Sequence, residues 1–249
     1  MTVITKDGKQ FNFTPTGVYS FLRLLDAGWS IKESSKDKIT LCKENLCMKI
    51  RTNTTFDFAI FREIFLDKVY GEKFYGTIID VGAYNGDSSI YFALNGAERV
   101  IALEPFPENF ELAKENIEIN NLSDKIILLP YALAREDGET QFYVSKIEPQ
   151  ENSLKPNRKF DVIKVKTISL QKIVNDFKIS SISLLKLDCE GCEYDTLPYS
   201  SDELYDKIES IVLEYHDWPT NLANLLKSKG FSVKYKDAKI GMMYATKNN

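Results

Sequence analysis

The sequence has 249 residues, of which 43% are hydrophobic and 27% are charged, and its formal net charge is -4; this is enough chain for one sizeable α/β domain and a small appendage. The mildly acidic balance disfavours nucleic acid as a partner. No apolar run reaches membrane length and residues 1–6 lack the apolar core of a signal peptide, so we expect a soluble, cytoplasmic protein that does not bind a membrane.

The first 70 residues predict a helix, a hairpin and a second helix. Thr16 is the expected cap of the first helix, and a tight turn joins predicted strands at 39–41 and 46–50. The second helix is expected to begin at Asn53 or Thr55, with its aromatic residues in the core rather than around a ligand. The residues expected to face inward are Val18, Phe21, Leu22, Leu25, Phe58, Phe61, Phe65 and Val69. We expect residues 1–70 to form an extension that packs on the sheet of a main domain spanning residues 71–249.

Four cysteines form two pairs in the sequence, Cys42 with Cys47 and Cys189 with Cys192. The pairs raise the possibilities of a zinc site and of disulfides. Buried free thiols behave as small hydrophobic side chains, and a reducing cytosol disfavours disulfides. We therefore expect free cysteines and no metal.

Residues 77–104 have the pattern of a nucleotide-binding βαβ unit. A buried strand at 78–81 contains Asp80, a loop bracketed by Gly82 and Gly86 follows, and Asp87 or Ser88 can cap the next helix. A second buried strand at 100–103 ends in Glu104. This order of strand, glycine turn, helix, second strand and terminal acid is typical of nucleotide-binding βαβ units.

The glycine pattern opposes a dinucleotide. Tyr84 stands where a dinucleotide fingerprint needs its middle glycine, and Asp87 stands at its last position, so a pyrophosphate would be obstructed. A ligand with an ammonium, a carboxylate and a ribose suits the loop better: Asp80 can offset the ammonium, and the loop amides and helix N-terminus can receive the carboxylate. Glu104 can accept hydrogen bonds from both ribose hydroxyls. S-adenosylmethionine carries all three groups.

After Glu104 the pattern predicts a helix, a third strand at 126–129 and then Tyr131 and Ala132. Residues 137–166 interrupt the alternation with two hairpin strands, 141–144 and 162–166, around a polar stretch. This insertion is read either as a substrate lid or as a loop without a role.

Two further predicted strands end in polar side chains. The strand at 182–187 runs into Asp188, Glu190 and Glu193, and the strand at 211–213 ends in Glu214 and His216, the only histidine of the sequence. Ligands bind at the carboxyl ends of strands where strand order reverses, so we expect Asp188 to face a sulfonium methyl. A closing hairpin at 231–244 completes a predicted Rossmann-like sheet of seven strands, mostly parallel with one antiparallel edge strand, typical of class I methyltransferases.

Two segments resemble the FkbM family of S-adenosylmethionine-dependent methyltransferases. They are DVGAYNGDSSIYFALNGAERVIALEPFPENFELAKENI and KLDCEGCEYDTL, and the resemblance covers about residues 55 to 218. The family loop more often reads Gly-Ala-Asn-x-Gly, whereas this chain has Tyr84 and Asn85 there. The resemblance implies O-methylation, commonly of a sugar or secondary-metabolite hydroxyl, with the backbone or the Tyr131 ring covering the adenine.

The candidate site residues fall into three groups. The expected cofactor-binding residues are Asp80, Gly82, Ala83, Asn85, Gly86, Ser88, Glu104, Pro105, Tyr131, Ala132 and Asp188. Asp188, Glu190 and His216 are the expected catalytic residues, and Glu193 and Glu214 are expected to bind the acceptor.

Three other functions remain open at this point. A nicotinamide oxidoreductase would share the βαβ unit, an RNA methyltransferase would share fold and cofactor but usually has a basic face, and a non-catalytic module would bind the cofactor without turnover. No Gly-x-Ser-x-Gly motif is present to support a serine hydrolase.

Overall fold

The computed structural model describes residues 2–4, 10–35, 37–54, 56–145, 151–155 and 159–248. Its N-terminal part begins with a two-stranded ribbon and continues with helix, antiparallel sheet and helix. These elements are β1 (Thr2–Ile4), β2 (Gln10–Asn12), α1 (Pro15–Asp26), β3 (Ser30–Ser34), β4 (Lys38–Lys43), β5 (Leu46–Arg51) and α2 (Asp57–Phe65). The predicted hairpin is confirmed as β4 and β5, and the sequence analysis missed β3 at its edge.

The first helix starts two residues earlier than predicted. The Thr14 hydroxyl accepts a hydrogen bond from the Gly17 amide at 3.1 Å, and Pro15 occupies the first turn, where its missing N–H has no cost. The expectation that Thr16 caps α1 was therefore wrong. Leu24 is buried and Leu22 is 48% exposed, so Leu22 does not face inward as expected.

The second helix begins at Asp57, after Phe56, so the prediction of a start at Asn53 was wrong; Thr55, the other predicted start, lies outside the described residues. Phe58 and Phe61 are buried in the core, as the aromatic spacing predicted.

Both cysteine pairs are disulfides, which corrects the expectation of free thiols. Cys42 and Cys47 stand directly opposite each other in the register of β4 and β5, and Cys189 is bonded to Cys192 three residues away. No cysteine among the described residues is free. A reducing compartment disfavours disulfides, but the local backbone brings the two cysteines of each pair within bonding distance.

The remaining elements mostly alternate between strand and helix; the exceptions are the insertion, the consecutive helices at 192–206 and the closing hairpin at 231–247. In chain order they are β6 (Thr77–Val81), α3 (Asp87–Leu94), β7 (Arg99–Leu103), α4 (Pro107–Ile119), β8 (Ile126–Leu129), β9 (Tyr131–Leu133), β10 (Gly138–Val144), β11 (Asp161–Ile168), α5 (Leu170–Asp176), β12 (Leu184–Leu187), α6 (Cys192–Thr196), α7 (Asp202–Asp206), β13 (Ser210–Tyr215), α8 (Thr220–Ser228), β14 (Phe231–Tyr235) and β15 (Gly241–Lys247).

The main sheet confirms the predicted class I methyltransferase fold. Among the described residues it contains seven strands in the order β14-β15-β13-β12-β6-β7-β8. The central strands are parallel, and β15 runs antiparallel between β13 and β14 at one end. The chain moves outward from β6 through β7 to β8 on one side and returns at β12 on the other, so the reversal of strand order lies between β6 and β12.

The insertion is a second sheet rather than a bare loop. β10 pairs antiparallel with β11, as the alternation predicted, and β11 pairs parallel with β9. Residues 146–150 and 156–158 of the polar stretch lie outside the described residues. Whether the insertion acts as a lid stays a prediction.

The two faces of the main sheet bury separate clusters. Ile79, Val81 and Leu103 face one cluster, which includes α5 and α8. Ile78 and Val100 point to the other face and pack with Phe21 and Phe58 of the N-terminal elements. Removing such side chains from water contributes about 1.5–3 kcal/mol each, so the N-terminal elements are joined to the sheet by apolar burial. The domain boundary at residue 70 stays a prediction.

None of the helices in the described part of the chain is both long enough and apolar enough to cross a membrane.

A buried ion pair joins the end of β5 to the start of α2 within the N-terminal elements. Arg51 and Asp57 are 2.9 Å apart, with side chains 10% and 0% exposed. We expect Asp57→Ala to lower the free energy of unfolding by about 3–5 kcal/mol, because it leaves a buried guanidinium unpaired. Asp67→Ala is the matched control: its 2.6 Å pair with Arg62 is at the surface, with Asp67 39% exposed, so the cost should be below about 1 kcal/mol. Urea unfolding measures the free energy of unfolding of both variants. Equally small losses would contradict a stabilising role of the buried ion pair.

Candidate active site

A cavity of about 460 Å³ opens at the carboxyl ends of β6, β7, β12 and β13. Its volume lies in the usual range for small-molecule sites, about 300–1,000 Å³. The wall combines strand tips of the main sheet with α2, the insertion and β15. It therefore lies at the reversal of strand order, where open α/β sheets bind their ligands.

Asp80 lies behind the cavity wall rather than in it. It is fully buried, it accepts a hydrogen bond from the Ser88 hydroxyl at 2.7 Å and another from the Ser89 hydroxyl, and its other oxygen lies 3.1 Å from the Lys186 ammonium. The cation that Asp80 offsets is thus Lys186, in place of the ligand ammonium expected from the sequence. Ser88 lines the cavity.

The glycine loop is closed by its own hydrogen bonds. The amides of Gly82 and Ala83 donate to the Leu103 carbonyl at 3.0 and 2.9 Å, and the Gly86 amide donates to the Ala83 carbonyl at 2.7 Å. These amides are engaged within the protein, which differs from the expectation that they receive a ligand carboxylate. Gly82 lines the cavity, whereas Ala83 and Gly86 lie outside its wall.

The loop needs glycine at position 82 because two strand tips meet there. Gly82 has φ +76°, and a Cβ added to it would lie 1.8 Å from the carbonyl oxygen of Asp188. Any side chain would therefore push β6 and β12 apart at the site.

Tyr84 and Asn85 both turn toward the N-terminal elements. The Tyr84 hydroxyl donates to Asp57 at 2.5 Å, and the Asn85 amide nitrogen donates to Asp57 at 3.0 Å. Arg51 donates to the Asn85 side-chain oxygen at 2.8 Å, and its guanidinium carbon lies 5.0 Å from the centre of the Tyr84 ring. Tyr84 also borders the cavity, whereas Asn85 does not, so Asn85 is placed away from the ligand position expected for it.

Glu104 sits at the tip of β7 with each carboxylate oxygen fixed by the backbone. One oxygen accepts from the Tyr84 amide and the other from the Phe106 amide, both at 2.9 Å. The side chain is only 5% exposed. Burial raises the pKa of Glu104 to about 7, although these hydrogen bonds and one from Asn109 oppose the shift. Each oxygen retains a second lone pair, so the carboxylate can still accept hydrogen bonds from the cavity.

Asp87, at the start of α3, is a second buried acid in the same wall. Burial raises its pKa to about 7, against the hydrogen bond from the Ser88 amide. The cavity thus has two buried carboxyl groups in this part of its wall, and a cation bound there would stabilise their ionised forms.

The third side of the cavity is mostly apolar. Pro105, Tyr131 and Ala132, which are expected to bind the cofactor, line it. The insertion adds Phe142 and Leu154 to this wall, with Asn152 beside them. An apolar wall next to a carboxylate suits a ligand with an aromatic ring attached to a polyol.

The opposite end of the cavity gathers the remaining predicted site residues. Asp188, Glu190, Glu214 and His216 all line it. His216 Nε2 lies 3.2 Å from a Glu190 oxygen and 3.5 Å from a Glu214 oxygen. Burial lowers the pKa of His216, but the hydrogen bond and charge of Glu190 and the charge of Glu214 outweigh it, so the pKa is raised. The imidazole therefore favours the protonated form.

Burial and the negative charge of the neighbouring Asp188 raise the pKa of Glu214 to about 8, although His216 opposes the shift. Glu193, expected to bind the acceptor, is fully buried outside the cavity wall and accepts from the Gly191 amide at 3.1 Å. Its place is structural, at the start of α6.

The sequence analysis missed Lys186 as a site residue. Its ammonium donates to the Gly82 carbonyl at 2.8 Å and the Val81 carbonyl at 3.3 Å, and it lies 3.9 Å from Asp188. The signal was present, because a lysine stood among leucines in a strand predicted to be buried. Tyr70 also lines the cavity, and its hydroxyl donates to Asp188 at 3.3 Å.

Two groups of described side chains have the spacing to hold a metal ion. One is Glu190, Glu214 and His216, and the other is Cys189, Cys192 and Glu193; in each, one candidate atom per residue lies within 4.8 Å of the others. The cysteines of the second group are joined in a disulfide, which leaves no thiolate to bind a metal.

A family model described as the methyltransferase FkbM domain matches residues 80–233 of the chain. The chain is also similar to a curated protein of Beauveria bassiana (strain ARSEF 2860), Methyltransferase 1, with 29% identity over 223 residues that cover 76% of this chain and 89% of that protein. Ribosomal protein L11 methyltransferase of Carboxydothermus hydrogenoformans is 32% identical over 128 residues, which cover 51% of this chain and 40% of that protein.

Among solved structures, the methyltransferase FkbM of Methylobacillus flagellatus KT aligns with a TM-score of 0.49 and 13% identity, covering 74% of this chain and 47% of that one. The SAM-dependent methyltransferase of Agrobacterium tumefaciens aligns with a TM-score of 0.48 and 12% identity, covering 99% of this chain and 76% of that one. The chain thus spans less than half the length of the M. flagellatus protein.

The close approach at Gly82 predicts a large effect of one methyl group. We expect Gly82→Ala to lower the free energy of unfolding by about 2–4 kcal/mol, because it combines a left-handed conformation with an overpacked contact. Gly71→Ala is the matched control: it also has a positive φ, +97°, but nothing lies within 4 Å of the added Cβ, so only the conformational cost of about 1–2 kcal/mol remains. Equal losses in urea unfolding would contradict the strand contact.

Proposed function

The chain belongs to the FkbM family of S-adenosylmethionine-dependent methyltransferases, and we propose that it transfers the methyl group to a hydroxyl oxygen of a sugar or another small metabolite. The observation that carries the proposal is the pairing, in one cavity, of a buried carboxylate suited to a ribose with a cluster of acid and imidazole groups at the other end. The buried carboxylate is Glu104, and the cluster at the other end includes Asp188 and His216.

We infer the placement of the cofactor from the character of each wall. Glu104 would accept hydrogen bonds from the two ribose hydroxyls. The adenine would lie between Pro105 and the apolar wall at Tyr131 and Ala132, because a flat ring buries its faces there. The sulfonium would then lie toward Asp188, whose carboxylate offsets its charge.

When bound, S-adenosylmethionine supplies a methyl carbon activated by the sulfonium sulfur. The chain's own residues hold the acceptor hydroxyl in line with that carbon and take up its proton. Asp188 is the proposed proton acceptor, with the Tyr70 hydroxyl at 3.3 Å and the Lys186 ammonium at 3.9 Å holding its carboxylate in place. Since the pKa of His216 is raised, the imidazolium is proposed to orient Glu190 and Glu214 rather than to act as the base.

Glu104 should control cofactor affinity in a pH-dependent way. We expect Glu104→Gln to weaken binding of S-adenosylhomocysteine by about 1.5–3 kcal/mol at pH 8, the scale of hydrogen bonds to a charged group. In the unmodified protein, burial raises the pKa of Glu104 to about 7. A ligand that favours the ionised carboxylate lowers this pKa, so binding releases a proton and strengthens as pH rises from 6 to 8.

Isothermal titration calorimetry measures this affinity, and proton release is read by repeating it in buffers of different ionisation enthalpy. Glu108→Gln, an exposed acid in the first turn of α4, is the control and should bind like the unmodified protein. If Glu104→Gln kept the same dissociation constant and the same pH profile, the ribose assignment would be wrong.

Asp188 should affect turnover more than cofactor binding. We expect Asp188→Asn to lower kcat by about 10²–10⁴-fold, the range for loss of a positioned base, while S-adenosylhomocysteine affinity stays within about threefold. His216→Gln should lower turnover less. Glu203→Gln, an exposed acid in α7, is the control.

The assay is release of S-adenosylhomocysteine across sugar, phenol and RNA acceptors, with melting temperatures recorded for each variant. Full activity of both site variants on the true acceptor would overturn the catalytic assignment. Turnover on RNA alone, with a steep dependence on salt, would favour an RNA methyltransferase instead.

A further inference from the structure

We propose that the methyl acceptor carries a positive charge, a protonated amine, close to the hydroxyl that receives the methyl group. This inference rests on the proposed function, because it concerns the acceptor end of the same cavity. It names a substrate class that family membership leaves open.

The cavity wall has a large excess of acidic side chains. Its carboxyl groups belong to Glu63, Asp87, Glu104, Glu151, Asp188, Glu190 and Glu214, whereas its described basic residues are Lys186 and His216. Asp87 and Glu104 lie at the proposed cofactor end and face the positively charged cofactor. At the other end, Asp188 is proposed to offset the sulfonium, and Glu190 and Glu214 are placed to meet the acceptor.

Neither basic residue of the wall is placed to bind an anion. Lys186 directs its three donors to Asp80 at 3.1 Å, to the Gly82 carbonyl at 2.8 Å and to the Val81 carbonyl at 3.3 Å. His216 Nε2 faces the carboxylates of Glu190 and Glu214. A phosphate or carboxylate on the acceptor would therefore meet an excess of acids, while the Lys186 ammonium is held by internal partners.

The acid end of the cavity favours added positive charge. Burial and the negative charge of Asp188 raise the pKa of Glu214, with Glu190 adding to the shift. A cation supplied by the acceptor beside Glu214 would stabilise its ionised form and donate charge-assisted hydrogen bonds to it.

Glu190 and Glu214 can bind an ammonium group in addition to His216. Their oxygens lie within 4.8 Å of each other, and His216 Nε2 is 3.2 and 3.5 Å from one oxygen of each. An ionised carboxylate has about four lone-pair sites, so each group can accept a further hydrogen bond from the acceptor. The nearby wall supplies Phe56, Ile60 and Met242, an apolar surface for the carbon face of a ring bearing the amine and the hydroxyl.

The test compares related acceptors that carry a positive, neutral or negative group. The probes are a panel of aminosugars and aminocyclitols, their N-acetyl counterparts, and D-glucose with D-glucose 6-phosphate as neutral and anionic references. Methyl transfer is read as S-adenosylhomocysteine release by the full chain, and binding is read by NMR on protein saturated with S-adenosylhomocysteine. We expect the amine member of each productive pair to have a kcat/KM at least about tenfold higher than its N-acetyl form, consistent with a desolvated charge pair.

A variant of Glu190 tests whether this carboxylate causes the preference for amines. Glu190→Gln should reduce the amine preference severalfold while the affinity for S-adenosylhomocysteine stays unchanged, because Glu190 lies at the acceptor end. Glu203→Gln, the exposed control, should keep the full preference. Equal use of amine and N-acetyl forms, preference for the phosphorylated sugar, or failure of every amine both to bind and to react would overturn the proposal.

Two further measurements distinguish this proposal from alternative explanations. Glu190, Glu214 and His216 could instead hold a divalent metal; if the assay required Mn²⁺ and lost its amine preference in EDTA, the positive charge would belong to a metal and the proposal would be wrong.

Mass spectrometry locates the methyl group on the product. Methylation at nitrogen of the amine, or amine binding without any methyl transfer, would sink the proposed O-methylation while supporting the positive charge of the ligand.

Discussion

The active site depends on how closely the tips of β6 and β12 approach each other. A Cβ at Gly82 would meet the Asp188 carbonyl oxygen at 1.8 Å, so the two strands are in backbone contact where the cavity begins. Lys186 bridges this contact, because its ammonium binds the Gly82 carbonyl at 2.8 Å and pairs with buried Asp80 at 3.1 Å. A buried ammonium and a buried carboxylate each need the other, and their pairing positions Asp188 at the cavity wall.

The sequence predicted the central architecture well because buried parallel strands are short apolar runs with polar residues at their tips. The runs before Asp80, Glu104 and Asp188 each became a strand, and the reversal of strand order followed from their spacing along the chain. It did not predict which polar side chains face the cavity. Asp80 and Asn85 point into internal pairs with residues that are distant in sequence, Lys186 and Arg51, and such pairs have no local signature.

The N-terminal elements form part of the site although they precede the residues that match the family model. Arg51 and Asp57 form a buried network with Tyr84 and Asn85 of the glycine loop. Asp57 begins α2, and this helix also presents Ile60 and Ile64 to the cavity. The shape of the acceptor end therefore depends on the packing of this extension against the loop, which local periodicity of the sequence could not reveal.

The central claim is that one cavity holds the ribose of the cofactor at Glu104 and directs its sulfur toward Asp188. The most direct test is a crystal structure of the protein with S-adenosylhomocysteine. The account predicts both ribose hydroxyls within hydrogen-bond distance of the Glu104 carboxylate, with the sulfur on the side of Asp188. A ribose that makes no contact with Glu104, or a sulfur that faces away from Asp188, would contradict it.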